Sequence, residues 1–319
     1  MSSCPHRIPA ALNICLIQLC WQIDMGSLGF RALLPPMVFA LALVAPVSSE
    51  RLAGPAMENG PRAPAWRSLG GGAEYAAIGL SPRPAIGDGL LHVVRVDPSQ
   101  ATIRVRMAAQ LDGRARTARE WCDNPRVVAV INAGMYDRDL STHIGYLRVG
   151  ERIGSARWVR SYQSILLLGP RRLHLPAATI RDVPPDGRAA DFADYDTAVQ
   201  NLRLIRDPAV NAWTQSDRRW SEAAIALDHQ GRILFLLCRS PFTMHDFNAL
   251  VTALPLGVRR AMHVEGGPEA SLSVHGPGID VDLSGSYETG FNPSDDSKRQ
   301  WPLPNVVTVE VGSPHPDPH

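Results

Sequence analysis

The sequence predicts an α+β fold with a mixed, strand-rich sheet core and a few packed helices. Short runs of β-branched and apolar residues, separated by Gly, Pro, Asn and Asp, recur along the chain and are typical of strands. One segment, 243–254, has apolar residues at helical spacing instead. With 45% hydrophobic residues in 319, the chain can bury a core without metals or disulfides.

The chain is expected to consist of several segments. Pro, Gly and Ala dominate the stretch before Trp66, and the apolar run Leu33–Val47 follows Arg31 as in an export leader, with Met25 as a possible start. The expected segments are a leader at 1–49, a linker at 50–68, a folded domain at 69–312 and a disordered tail at 313–319. We expect export to the periplasm or the extracellular space. An uncleaved leader is the alternative and would be the route to a membrane.

The first half of the domain is expected to begin with two strands, Leu90–Val96 and Thr102–Met107, joined as a hairpin by the turn at Asp97. Thr117–Cys122 predicts a short helix that ends before Asn124-Pro125. Val127–Ile131 is apolar and β-branched enough for a central strand.

The second half is expected to be mostly strands. The predicted strands are Gly145–Val149, Ser164–Leu168, Ala198–Ile205, Ala223–Leu227, Ile233–Arg239, Ala261–Val264, Ser271–Val274, Ile279–Leu283 and Val306–Val311, with a surface loop at Arg172–Asp196. Thr243 can cap a helix between Arg239 and Ala261. A strand, a helix and a strand in succession favour a right-handed crossover, which makes Ala261–Val264 a parallel strand.

Polar side chains follow two of these strands. Val127–Ile131 leads into Asn132 and a glycine-containing loop, and Ala261–Val264 leads into Glu265 followed by two glycines. Strand ends of a sheet can form a ligand crevice, and glycine allows close approach of the backbone. The two loops therefore predict one shared cleft, while ordinary tight turns are the alternative for each.

Two cysteines, Cys122 and Cys238, follow the leader. In an exported chain they could form a disulfide, which would stabilise by up to ~4.7 kcal/mol in the chain-entropy model. Two buried free thiols are the alternative.

Further motifs occur in a set order along the chain. They are NAGMY at Asn132–Tyr136, GYL at Gly145–Leu147, AVQNLRL at Ala198–Leu204, VEGG at Val264–Gly267 and LPNVV at Leu303–Val307. In order and spacing they resemble the phosphodiester glycosidase family from about Leu90 to Val311. The resemblance implies an α+β, glycosidase-like domain that acts on a sugar–phosphate linkage.

Two segments depart from the family pattern. Glu222–Ala226 reads EAAIA where the pattern has RTAIG, and Glu265–Ala270 reads EGGPEA where it has DGGGSS. A basic residue, two hydroxyls and a glycine are absent as a result. Arg218 or Arg219 could supply a cation if its loop folds back.

The loops and the resemblance together give a candidate site. The candidate catalytic residues are Glu265, Asp137 and Asp139, and the candidate substrate-binding residues are Asn132, Gly134, His143, Arg203, Gly266, Gly267 and Glu269. Glu265 would orient sugar hydroxyls, activate water or stabilise a cationic sugar. Arg203 would bind the leaving phosphate, and His143 would be a proton shuttle near neutral pH or a plain surface residue.

These observations favour an exported hydrolase for a glycosyl phosphodiester in an envelope or extracellular glycan. A non-catalytic glycan-binding protein with the same cleft is the main alternative, and a structural envelope protein is a third. A net charge of +1 and the lack of a basic run with aromatics disfavour nucleic acid, and no Gly-x-Ser-x-Gly elbow indicates a serine hydrolase. No cofactor or metal is expected, although Asp295 and Asp296 leave a divalent cation as an alternative.

Overall fold

The fold is mostly β. The structure is a computed structural model that describes residues 63–137 and 141–312, of which 46% are in strands and 10% are helical. The expected α+β class is thus correct in its strand-rich sheets and few helices, but overstates the helical part. The leader, the linker up to Arg62 and the tail lie outside the described residues. None of the described helices is long and apolar enough to span a bilayer.

The largest sheet has eight strands. In chain order they are β1 (Arg67–Gly70), β2 (Ala73–Gly79), β3 (Leu90–Val96), β11 (Arg203–Arg206), β12 (Val210–Asn211), β13 (Trp220–Asp228), β14 (Ile233–Phe242) and β15 (Val258–Gly266). Across the sheet the order is β1-β2-β3-β14-β13-β15-β11-β12, with antiparallel pairing throughout. The sheet therefore carries Glu265 near the end of a strand with neighbours on both sides.

Two five-stranded sheets complete the fold. One has the order β7-β6-β10-β8-β9 and consists of β6 (Leu147–Val149), β7 (Arg152–Ser155), β8 (Ser164–Pro170), β9 (Ala178–Asp182) and β10 (Tyr195–Asn201). The other has the order β17-β16-β5-β18-β4 and consists of β4 (Thr102–Met107), β5 (Val127–Asn132), β16 (Ser271–Gly276), β17 (Ile279–Ser284) and β18 (Asn305–Glu310). Their neighbouring strands are also antiparallel.

The main hydrophobic core lies where the three sheets meet. Val94 and Phe235 of the large sheet, Leu166 of the second sheet and Ile131 of the third are all fully buried in this one cluster. Because burial of apolar surface is the main stabilising term in folding, this shared core holds the strand ends of different sheets in fixed positions. Asn132 and Glu265 lie at two of those ends.

The helix between β14 and β15 is α2 (Met244–Ala253), and it begins as predicted. The Thr243 side chain accepts a hydrogen bond from the Asp246 N–H, and Phe247 and Val251 bury one helix face against the large sheet. The crossover exists, but β13 lies between β14 and β15 and pairs antiparallel with both. β14 and β15 therefore run in the same direction, as expected for a crossover, but both described neighbours of β15 are antiparallel, because the β13–β14 hairpin places its first strand between the two.

Three further predictions are corrected. The strands β3 and β4 have the predicted bounds but do not form a hairpin, since β3 pairs with β2 and β14 while β4 pairs with β18. The predicted strand Ala198–Ile205 is two strands, β10 and β11, in different sheets. The expected loop Arg172–Asp196 contains β9 and a short 3-10 helix, Ala189–Phe192.

A short helix, α1 (Ala118–Trp121), covers the outer face of the third sheet. The short helix is present where it was predicted, and Thr117 caps it: its side chain accepts from the Glu120 N–H while the Glu120 carboxylate accepts from the Thr117 N–H. Trp121 is fully buried and donates its indole N–H to the Leu303 carbonyl at 3.1 Å. The ring thus packs against the back of β5, the strand that ends at Asn132.

Both described cysteines are free thiols. Cys238 is buried in the cluster beneath α2, and Cys122 follows α1 at the other side of the fold. The structure therefore agrees with the alternative of two free thiols and not with a disulfide. Burial raises the pKa of the Cys122 thiol to about 12.

Candidate active site

Asn132 ends β5 with its side chain fully buried. Its Oδ1 accepts a hydrogen bond from the Ser271 N–H at 3.1 Å, at the start of the neighbouring strand β16. Its Nδ2 has no partner among the described residues. Since buried amide donors are usually paired, this N–H group is suited to a ligand.

Glu265 connects the two strand-end loops predicted from the sequence. Its Oε2 accepts the Tyr136 N–H at 3.1 Å, and its Oε1 accepts the Gly266 N–H at 3.2 Å. Tyr136 belongs to the loop that follows Asn132, so this bond joins the ends of β5 and β15 in one site. The predicted convergence of the two loops is therefore present in the structure.

Three carboxylates converge around Gly267, and we call Glu265, Glu269 and Glu288 the carboxylate cluster. Burial and the charge of Glu269 raise the pKa of Glu265 well above its usual value. Burial raises the pKa of Glu269 to about 7, with Glu288 adding to the rise, and burial also raises the pKa of Glu288. Carboxyl groups with raised pKa values can hold protons near neutral pH, as a general acid must.

Gly267 allows this approach. Its φ of +61° lies in the left-handed region, and a methyl group in place of one hydrogen would lie 2.7 Å from Oε2 of Glu288 and 3.6 Å from Oε2 of Glu269. Gly266 packs as tightly against the Trp220 ring. The glycine pair of the VEGG motif is thus required by close contacts.

His143 is buried beneath the loop that follows Asn132 and is not at the surface. Its Nε2–H donates to the Gln200 carbonyl at 3.2 Å, and burial lowers the pKa of its imidazole to about 4. The expected role as a proton shuttle near neutral pH is not compatible with this environment, because the ring is neutral there. Its Nδ1 and the Oδ1 of Asn201 lie beside Gly134, and neither atom has a hydrogen-bond partner within residues 63–137 and 141–312.

Replacing Gly134 by alanine is expected to distort this loop. The added methyl group would lie 2.5 Å from Oδ1 of Asn201 and would clash with the His143 ring. Overpacking of this kind costs about 1–3 kcal/mol. Urea unfolding of the variant measures the loss, and Gly79→Ala, at the end of β2 with no atom within 4 Å of the new methyl group and a φ outside the left-handed region, is the control without a clash. Equal stability of Gly134→Ala and the wild type would contradict this packing.

Arg203 lies in a different environment from the one expected. Its guanidinium donates to Oε1 of Gln163 at 2.6 Å and lies 3.6 Å from the Asp182 carboxylate. These partners belong to the β8–β9 side of the domain, so the structure does not bring Arg203 to the carboxylate cluster. An alternating strand pattern shows which residues share a face of a strand. It does not show which neighbouring sheet a side chain contacts, so the sequence did not indicate these partners of Arg203.

The two aspartates proposed as catalytic have different outcomes. Asp137 lies 3.7 Å from the Arg157 guanidinium, and its charge together with that of Glu265 raises the pKa of Tyr162, for which burial is the main cause. Asp137 therefore lies near Tyr162, and it directly follows Tyr136, whose N–H binds Glu265. Asp139 lies outside the described residues, so its role stays a prediction.

Further residues of the site were not singled out from the sequence. Glu288 is on the loop after β17, and Asn201 ends β10 and donates from Nδ2 to the Ala133 carbonyl at 2.9 Å. Glu222 and His263 form a buried pair on the other face of the large sheet from Glu265, because Glu222 alternates with Ala223, which lies opposite Glu265. Asn201 stands in the AVQNLRL motif and could have been recognised there, but a lone Glu288 in a loop carries no such signal.

One group of three described residues, His275, Asp280 and Asp282, is close enough to hold a metal ion. It is exposed at the other end of β16, and the Arg119 guanidinium bonds to both aspartates. Asp295, proposed as a cation ligand, forms an ion pair with Arg239, whose Nε lies 2.6 Å from Oδ1 of Asp295. Both acidic groups are thus already neutralised by arginine.

The sequence matches the model of the phosphodiester glycosidase family over residues 125–310. This chain belongs to the phosphodiester glycosidase family. The matched region contains Asn132, Glu265 and the rest of the carboxylate cluster. Family membership indicates a glycosidase-type enzyme with a carbohydrate substrate.

One solved structure agrees with this assignment at the level of the fold, and a second is reported with it. The catalytic domain of zebrafish N-acetylglucosamine-1-phosphodiester α-N-acetylglucosaminidase, auto-inhibited by its pro-peptide, is 13% identical with a TM-score of 0.52, over 79% of this chain and 87% of that chain. A hypothetical protein from Synechocystis is 14% identical with a TM-score of 0.47, over 76% and 62% of the two chains. No curated protein matches the sequence.

Proposed function

We propose that the protein hydrolyses a glycosyl phosphodiester in an envelope or extracellular glycan. The observation that supports the proposal is the bond from the Tyr136 N–H to Glu265, because it joins a carboxylate to the loop that follows Asn132. In a chain of the phosphodiester glycosidase family, a carboxylate beside such a loop supports a role in cleavage of a glycosidic bond.

The role of Glu265 depends on which carboxyl groups of the carboxylate cluster carry a proton. In the ionised form Glu265 stabilises the positive charge that develops on the sugar ring or activates a water molecule. Two backbone N–H groups hold its oxygens in place, so its position does not depend on the ligand. The unpartnered Asn132 Nδ2 donates to a sugar hydroxyl or an acetamido oxygen.

Purified full-length protein, incubated with radiolabelled glycosyl phosphodiesters that differ in their sugar, tests the proposal. We expect release of free sugar and a phosphate monoester from at least one of them. Simple alkyl glycosides of the same sugars serve as the matched substrates without phosphate. Cleavage of the alkyl glycosides alone, or of no substrate in the panel, would contradict the proposed function.

Binding of a neutral glycan without hydrolysis is the second candidate. It is supported by the three carboxylates around Gly267, because negative charges repel an anionic phosphate unless they are protonated. Calorimetry with neutral oligosaccharides distinguishes it: binding without any turnover of the phosphodiester panel would favour this candidate.

We also propose that the protein is exported, on the basis of the apolar run Leu33–Val47 after Arg31. Cell fractionation and amino-terminal sequencing of the mature protein test this. Recovery in the soluble cytoplasmic fraction with residues 26–49 intact would contradict it.

A further inference from the structure

Glu269 lies between the two strand ends that form the site. It ends the 3-10 helix Gly267–Glu269, which connects β15 to β16. Two residues further on, Ser271 donates its backbone N–H to Oδ1 of Asn132 at 3.1 Å and its hydroxyl to the Glu269 carbonyl at 3.2 Å. The backbone of Glu269 is therefore held beside Asn132, whose buried Nδ2 has no partner among the described residues.

The carboxyl group of Glu269 approaches that of Glu288 beside Gly267. Oε2 of Glu269 lies 3.6 Å from the position that a methyl group on Gly267 would take, and Oε2 of Glu288 lies 2.7 Å from the same position. Glu269 is 8% exposed, so most of the residue is desolvated while part of it still reaches the solvent. A group of this kind can exchange a proton with a bound ligand or with water.

Position 269 is one of the departures from the family pattern, which has serine there. A serine hydroxyl donates and accepts hydrogen bonds, whereas a carboxyl group also gains and loses a proton. Glu265, in contrast, keeps the negative charge of the aspartate in the pattern. The pair of carboxyl groups at positions 265 and 269 is thus a property of this sequence and not of the pattern.

Hydrogen bonds indicate which member of this pair is ionised. The Tyr136 and Gly266 N–H groups both donate to Glu265, and such donors favour the ionised form. The charge of Glu269 is one cause of the raised pKa of Glu265, and a proton on Glu269 removes that charge. Burial and the charge of Glu288 raise the pKa of Glu269 to about 7. The favoured arrangement is therefore ionised Glu265 beside protonated Glu269.

Other charged groups act on the pair through Glu288. The Arg218 guanidinium, from the loop before β13, and His263 of β15 both lower the pKa of Glu288 against the larger effect of burial. The Tyr136 phenol is neutral, because burial and the nearby carboxylates raise its pKa. Glu288 is therefore better compensated than Glu269, which supports Glu269 as the carboxyl group that holds the proton.

We propose that Glu269 is the general acid of the reaction and protonates the leaving phosphate when the glycosidic bond breaks. The bond between the sugar carbon and the phosphate oxygen breaks, its electron pair goes to that oxygen, and the Glu269 carboxyl group gives its proton to the phosphate. Ionised Glu265 stabilises the positive charge on the sugar. Water then adds to the sugar, and the proton it releases returns to Glu269. The inference rests on the proposed hydrolysis and adds the identity of its acid.

Two substrates with different leaving groups test this role. Glu269→Gln keeps the shape of the side chain without an acidic proton, and Glu269→Ser gives the hydroxyl of the family pattern. With an alkyl phosphodiester, kcat of both variants is expected to fall by about 10²-fold, the lower end for loss of a general acid, because phosphate is a stable anion. With the dinitrophenyl glycoside of the same sugar, whose phenolate departs without a proton, the fall is expected to be smaller than about 10-fold. Equal losses for the two substrates, or no loss for the phosphodiester, would overturn the proposal.

The pH dependence of kcat/KM is a readout that a purely structural role would not change. A general acid must carry its proton, so the wild-type value is expected to be high below the pKa of Glu269, about 7, and to fall at higher pH. This fall is expected to be absent in Glu269→Gln. Glu288→Gln is expected to keep it at a lower pH, because the charge of Glu288 contributes to the raised pKa of Glu269. An unchanged fall in Glu269→Gln would contradict the role.

The matched control is Glu151→Gln, in the turn between β6 and β7, where the exposed carboxylate lies 3.6 Å from the Arg171 guanidinium. We expect wild-type rates and an unchanged pH profile from this variant. Loss of the fall at higher pH in Glu151→Gln as well would show that it does not report on Glu269, and would overturn the assignment.

NMR titration of protein with isotope-labelled glutamate measures the proton independently of activity. A carboxyl group is expected to titrate at a pH of about 7 in the wild type, and its signal is expected to be absent from Glu269→Gln. Titration of every glutamate within the usual range of that residue would overturn Glu269 as the acid. A wild type that cleaves no glycosyl phosphodiester would overturn the proposed function and this role with it, whereas cleavage at unchanged rates in Glu269→Gln would overturn the role alone.

Discussion

Replacing Glu265 by glutamine is expected to reduce kcat by about 10²–10⁴-fold, the range for loss of a group that carries charge or a proton in the transition state. Glutamine has the same shape and retains an oxygen that can accept the Tyr136 N–H, which is 3.1 Å from the carboxylate in the wild type. The fold and the binding of sugar are therefore expected to persist. Initial rates with the best phosphodiester of the panel give the loss, and calorimetry with its sugar gives the affinity.

The control for this variant is Glu310→Gln, at the end of β18, where the carboxylate pairs with the half-exposed Arg104. We expect wild-type rates from it. If Glu265→Gln retained a rate within about three-fold of the wild type, Glu265 would not be the general acid, base or stabilising charge of the reaction.

Replacing Trp121 by alanine is expected to lower the free energy of unfolding by about 3–5 kcal/mol, the usual cost of removing a buried aromatic side chain. Trp121 is fully buried, its indole N–H bonds to the Leu303 carbonyl, and the Arg106 and Arg116 guanidinium groups lie 5.2 and 5.3 Å from its ring centre. Urea titration followed by circular dichroism measures the change.

The effect should extend to the site, because Tyr136, which holds Glu265, shares the Trp121 cluster. Trp121→Phe keeps most of the apolar volume and is expected to cost less than the alanine variant. A loss of less than about 1 kcal/mol in Trp121→Ala would show that α1 contributes little to the support of β5.

Local features of the fold could be predicted from the sequence. The bounds of β3 and β4 follow from alternation and turn residues, and Thr243 marks the start of α2. Pairing could not be predicted in the same way. β3 has buried residues on both faces, so its pattern is compatible with several neighbouring strands. β3 and β4 belong to different sheets, and both strands contribute residues to the central core.

The site was predicted in part for the same reason. Asn132 and Glu265 stand where an apolar strand meets glycine, and this local signal located them. Glu288 and His263 contribute through contacts between segments distant in the chain, and no local pattern marks such contacts. Arg203 stands in a family motif and His143 in a loop. Their burial and their hydrogen-bond partners depend on the packing of the second sheet, which a local sequence pattern does not show.

A crystal structure of Glu265→Gln bound to a slowly cleaved glycosyl phosphodiester tests the central claim most directly. The sugar is expected between the Asn132 amide and residue 265. Ligand density on another face of the domain, with the space between these two strand ends empty, would contradict the account.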